Sequence, residues 1–126
     1  MGAAAGPGSS DPLVGDLRRS GLVTLLVLHF VADESLCGNQ LMERISTLTD
    51  GAVAVNPNTM YPLLRSLEAH GLLNGRWDPP DRRSRHCYEI TAAGAEHRRR
   101  LAAQLEPNLD ALAHTIDVIR HELLAR

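Results

Sequence analysis

The chain has 126 residues, a formal net charge of −2 and an apolar content of 44%. One domain with a real core fits that length, and a wholly disordered chain is excluded. All thirteen basic residues are arginine, which excludes lysine chemistry: no Schiff base and no phosphate-loop lysine.

Residues 1–10, MGAAAGPGSS, are small and polar or weakly apolar and predict a disordered tail. Leu13, Leu17, Leu22, Leu25, Leu26, Leu28, Phe30 and Val31 then predict one long helix, apolar nearly all round in its second half. In so small a protein, a helix buried on most sides calls for a partner chain. The longest uncharged apolar run, residues 21–32, is too short to span a bilayer. No basic segment leads an apolar run at the N-terminus, so a cytoplasmic protein without membrane partners is expected. Two cysteines, Cys37 and Cys87, are too few for a disulfide framework and are expected as reduced thiols.

Residues 38–47 read as a short helix with Leu41, Met42 and Ile45 on its apolar side. Asp50-Gly51 signals a turn, and residues 52–55 a short extended piece. Asn56-Pro57 starts the next helix, Asn as cap and Pro at the first helical position, and Gly71 ends it. Its core face is Met60, Leu63, Leu64 and Leu67. Asn58, Pro62, Arg65 and Ala69 point away, with Tyr61 and Ser66 on the flanks. Residues 72–78 and 85–90 read as two strands joined by a polar loop. Thr91 caps a last helix reaching about Leu124, with a kink or division expected at Glu106-Pro107. Leu105, Leu109, Leu112, Ile116, Ile119 and Leu123 follow a 4-3-4-3-4 spacing, the seam of a coiled coil.

The fold class expected is therefore mostly α with a small β-hairpin. It is a winged helix-turn-helix over residues 11–91, followed by a C-terminal dimerisation helix over residues 92–126. In that arrangement the third helix enters the major groove and the wing touches the backbone. Asn56, Asn58, Thr59, Tyr61 and Arg65 on the helix, and Arg82, Arg83 and Arg85 on the wing, are the candidate DNA contacts. Leu17, Leu25 and Leu28 of the first helix, with the six seam residues, are the candidate dimer interface.

The run Asn56-Pro57-Asn58-Thr59-Met60-Tyr61-Pro62 resembles the opening of the recognition helix in the PadR family of bacterial transcriptional regulators. Leu64, Leu67, Glu68 and Gly71-Leu72-Leu73 continue the likeness, Trp77 falls where that family has a strand tryptophan, and Tyr88-Glu89-Ile90-Thr91-Ala92-Ala93-Gly94 is similar to its signature before the last helix. Asn39 departs from it, standing where an aromatic is common, and the wing and last helix are short. The resemblance implies a homodimer binding double-stranded DNA at a roughly palindromic operator, usually as a repressor. In some members a small hydrophobic effector seated between the subunits releases the DNA.

No catalytic motif and no cofactor fingerprint occurs, so neither an enzyme nor a cofactor is expected. Asp110, His114, Asp117 and His121 share a helix face at metal-ligand spacing, but that face lies opposite the seam and reads as a solvated stripe, with no metal. The rival readings are a metal- or thiol-responsive winged helix using His86, Cys87 and Cys37, and a protein-interaction module that binds no DNA. The net charge hides a partition. Residues 1–50 carry three Arg against six acids, residues 51–100 eight against five, and residues 101–126 two against four. The proposed reading head is the basic segment, so a total near zero does not argue against DNA.

Overall fold

The computed structural model describes residues 12–78 and 85–125. The predicted tail and the wing tip, with Arg82 and Arg83, lie outside them. The expected single N-terminal helix is two: α1 (Pro12–Arg19) and α2 (Leu22–Val31). Ser20-Gly21 divides them because Gly21 takes φ 100°, a conformation that interrupts a right-handed helix and that glycine adopts without steric cost. In α2, Val23, Val27, Leu28 and Val31 are buried.

A two-residue strand that the sequence did not suggest, β1 (Leu36–Cys37), leads into α3 (Gly38–Leu48). Leu41 and Ile45 of α3 are buried, and Met42 packs beside them. Asp50 and Gly51 both have positive φ, 52° and 82°, and turn the chain as expected. Residues 52–55 form no strand; the Thr49 hydroxyl accepts from the Val53 amide (3.0 Å) and donates to the Ile45 carbonyl (2.9 Å). Val53 and Val55 thereby drop into the core. From the other side, an Arg18 guanidinium nitrogen donates to the Ala54 carbonyl at 2.8 Å, tying α1 to this loop.

Helix α4 (Pro57–Ala69) begins as predicted, with Asn56 Oδ1 accepting from the Thr59 amide at 3.0 Å. It runs through Pro62, which lies on the exposed side where water can satisfy the carbonyl left without a donor. Strands β2 (Leu73–Asp78) and β3 (Arg85–Ile90) pair antiparallel from Leu73↔Ile90 to Asp78↔Arg85. β1 adds to the far edge of β3, so the expected hairpin is the larger part of a three-stranded sheet, ordered β1-β3-β2.

That register sets Cys37 opposite Cys87, with Cα atoms 4.0 Å apart, and the two are disulfide-bonded. This corrects the expectation of reduced thiols: the pairing partner of each cysteine is 50 residues away and becomes visible only once β1 is placed.

Helix α5 (Ala92–Leu124) is continuous, and Pro107 does not divide it. Residues 102–104 and 106–107 are exposed, so solvent can satisfy the carbonyl that Pro107 leaves open. Its first half packs on α2, with Leu101 half-buried against the core and Leu105 buried; its second half is mostly exposed. No helix among the described residues is long and apolar enough to cross a membrane.

Candidate nucleic-acid interface

Helix α4 divides by face. Met60, Leu64 and Leu67 are buried, while Asn58, Thr59, Tyr61 and Arg65 are exposed. Asn56 is exposed too, but its side-chain oxygen already accepts from the Thr59 amide as the helix cap. Of the wing arginines, Arg85 pairs with Asp78 in the strand register; its side chain lies outside the described residues.

Between α4, the start of α3 and the sheet lies a groove of about 640 Å³. Sequence reasoning missed its most ordered feature. Trp77 stacks on His86 (ring centroids 4.6 Å, planes 22° apart), and His86 stacks on Tyr88 (4.6 Å, 25°). The signal was available: His86 and Tyr88 alternate on one face of β3, and Trp77 is the cross-strand neighbour of His86. Gly75, opposite Tyr88, leaves the space; a β-carbon there would collide with the His86 ring and the Glu68 carboxylate. The Gly75 amide donates to that carboxylate at 3.3 Å, and His86 Nε2 lies 4.0 Å from it.

Tyr88 is 3% exposed. Burial pushes its phenol above the ordinary 10.0, the Glu68 carboxylate adds to the rise, and the Arg65 guanidinium opposes it. Trp77 at the outer end of the ladder is 63% exposed. At the inner end, Gly38 lies against the Tyr61 ring; a β-carbon on Gly38 would come within 2.5 Å of Tyr61 Cε1. The N-terminus of α3 therefore touches a ring on the exposed face of α4.

The candidate dimer residues separate into three groups. Leu28 and Leu105 are buried within the single chain, at 0% and 2% exposure. Leu17, Leu25 and Leu112 are half-buried, while Leu109, Ile116, Ile119 and Leu123 are exposed, Leu123 to 69%. Among the described residues no three His, Cys, Asp or Glu side chains gather as a metal site.

Helices α2, α3 and α4, an antiparallel wing and an outward-facing polar side on α4 define a winged helix-turn-helix protein of the DNA-binding class. The profile of the transcriptional regulator PadR-like family matches residues 27–100. The chain belongs to that family, whose members are DNA-binding regulators and not enzymes. It is 36% identical over 97 residues to the transcriptional regulator Rv3488 of Mycobacterium tuberculosis, covering 74% of this chain and 88% of that one. Among solved structures it resembles a PadR family transcriptional regulator from Eggerthella lenta: 34% identity, TM-score 0.65, 82% of this chain and 88% of that one. A transcriptional regulator from Clostridium thermocellum shares the fold at 19% identity, TM-score 0.68, over 79% and 96% of the two chains.

Proposed function

We propose that the chain is a cytoplasmic homodimeric repressor that lays α4 in the major groove of a roughly palindromic operator. The observation that carries this reading is the division of α4, with the core on Met60, Leu64 and Leu67 and the solvent face on Asn58, Thr59, Tyr61 and Arg65. Asn58 suits adenine and Arg65 guanine, each through two hydrogen bonds to the base edge. Thr59 and Tyr61 hydroxyls suit phosphate oxygens, as do Arg82, Arg83 and Arg85 on the wing. The unpartnered apolar side of α5, with Leu109, Ile116, Ile119 and Leu123, supports pairing with a second copy, to which half-buried Leu17, Leu25 and Leu112 add. A small hydrophobic effector between the subunits, releasing DNA, belongs to the same reading.

The test is sedimentation velocity combined with fluorescence anisotropy of a labelled duplex from the promoter of its own gene. The reading expects a species of twice 13.7 kDa and binding that weakens steeply as salt rises. A 13.7 kDa monomer, or no binding at low salt, overturns it.

A further inference from the structure

We infer that the Cys37–Cys87 bond is a reversible redox latch on the DNA-reading surface, opened by a dithiol reductant. The inference rests on the DNA-binding reading above. A regulator works where its DNA is, and in such compartments protein thiols are kept reduced, so a disulfide there is conditional and its usual roles are catalytic or sensory.

The position of the bond gives it leverage. Cys37 and Cys87 close a covalent ring around residues 38–86. That ring holds α3, α4, β2 and all the candidate DNA contacts. Cys37 is also the residue before α3, where Gln40 Oε1 accepts from its amide at 2.8 Å. The next residue, Gly38, abuts the Tyr61 ring on the exposed side of α4. From the bond to the recognition helix is therefore a path of one residue. On the other side, Cys87 lies in the central strand, facing Arg76 across β2. Without the bond, β1 is held to the sheet by a two-residue ladder, Leu36↔Tyr88 and Cys37↔Cys87.

Cys37 is 5% exposed, so a reductant reaches the bond from the Cys87 side or through the groove. Cys37 lines the groove beside Tyr61 and Trp77, and Cys87 is half-buried rather than sealed. Opening the bond consumes two electrons. A thiolate of the dithiol attacks one sulfur and forms a mixed disulfide, and its second thiol displaces the protein sulfur. The reductant leaves as a disulfide and both cysteines end as thiols. Closure runs with a hydroperoxide: one thiolate takes the distal oxygen to become a sulfenic acid as alcohol or water departs, and the second thiol condenses with it, releasing water. Closed, the ring presents α4 and the wing already arranged for one duplex; open, part of that order must be regained on binding, so affinity falls.

The experiment uses the full-length protein, oxidised with diamide or reduced with dithiothreitol, and the promoter duplex described above. Maleimide mass shifts count thiols in each sample. The expected result is no free thiol after oxidation and two after reduction, with the reduced form binding at least about fivefold more weakly, the lower end of measured couplings between sites. Reoxidation restores the affinity. The double variant Cys37→Ser, Cys87→Ser binds like the reduced form whatever the treatment. Because the wild type is compared with itself, the result does not depend on that variant folding. Two free thiols after oxidation, or equal affinity in both states, overturns the latch and leaves DNA binding standing. No binding in either state overturns both.

Discussion

Gly94 lies directly against the carbonyl oxygen of Leu72, so close that a β-carbon could not be placed there without moving backbone. The contact joins the first turn of α5 to the turn that follows α4. Thr91 sits in the same joint: its hydroxyl accepts from the Gly94 amide at 3.0 Å and donates to the Gly71 carbonyl at 2.6 Å, and its amide donates to the Leu72 carbonyl at 3.2 Å. Together with the packing of α5 on α2, this joint sets the angle at which α5 leaves the winged helix. If two copies pair through α5, this joint also sets the distance between their recognition helices.

Gly94→Ala is therefore expected to destabilise the fold by about 1–3 kcal/mol, the usual cost of forcing atoms into a filled site. A thermal melt followed by circular dichroism should fall by several degrees per kcal/mol lost. Ala93→Gly, next door but exposed, serves as the control and should cost no more than about 1 kcal/mol of helix propensity. An unchanged melt for Gly94→Ala would remove the joint.

What could be read from the sequence followed the range of each signal. Asn56-Pro57, Gly71 and Thr91 act on their own backbone within a turn, and the structure has the helix ends where those residues put them. The apolar spacing of α4 likewise predicts its buried face, because one helix period decides it. Strand β1 is two residues long with a partner far along the chain, and no periodicity can announce it. The disulfide and the Gly38–Tyr61 contact hang on β1 and were hidden with it. Leu28 and Leu105 show another limit. Spacing marks them as apolar and facing something, but only packing shows that the something is the chain's own core.

Tyr88 gives the groove a spectroscopic handle. Its phenol is neutral in the fold, and burial together with the Glu68 carboxylate raises the pH needed to ionise it. The folded pKa lies above the unfolded 10.0, so the contribution is fully present below pH 10.0 and is lost as pH rises through the folded value. Absorbance titration at the tyrosinate band should show one tyrosine ionising late, together with loss of the folded circular dichroism signal. The Tyr88→Phe variant should lack that late step. A late step that survives the substitution belongs to another group.

On DNA, the two arginine classes should part. Arg65→Ala is expected to cost about 1–3 kcal/mol on the preferred duplex and little on unrelated sequence, since a base-edge contact is what it removes. Arg82→Ala should weaken both duplexes alike and reduce the slope of log affinity against log salt by about one for each wing. Anisotropy titrations at several salt concentrations measure both. A salt slope unchanged by Arg82→Ala would take the wing off the phosphate backbone.

The exposed half of α5 makes the last prediction. Ile116 and Ile119 are about half exposed, at 47% and 50%, one helical turn apart on an apolar side that the chain itself does not cover. Placing a charge there costs the folded monomer little, because neither side chain is buried in it. In a dimer joined along this seam, the same charge would be desolvated opposite its own copy. Ile116→Glu or Ile119→Glu should thus raise the dimer dissociation constant by more than tenfold, about 1.4 kcal/mol or more, with far-ultraviolet circular dichroism unchanged. Sedimentation equilibrium measures the first and a spectrum the second. DNA affinity should fall with dimerisation, since a palindromic site then loses the gain from linking its two half-site contacts. A variant that remains dimeric would move the interface away from these residues.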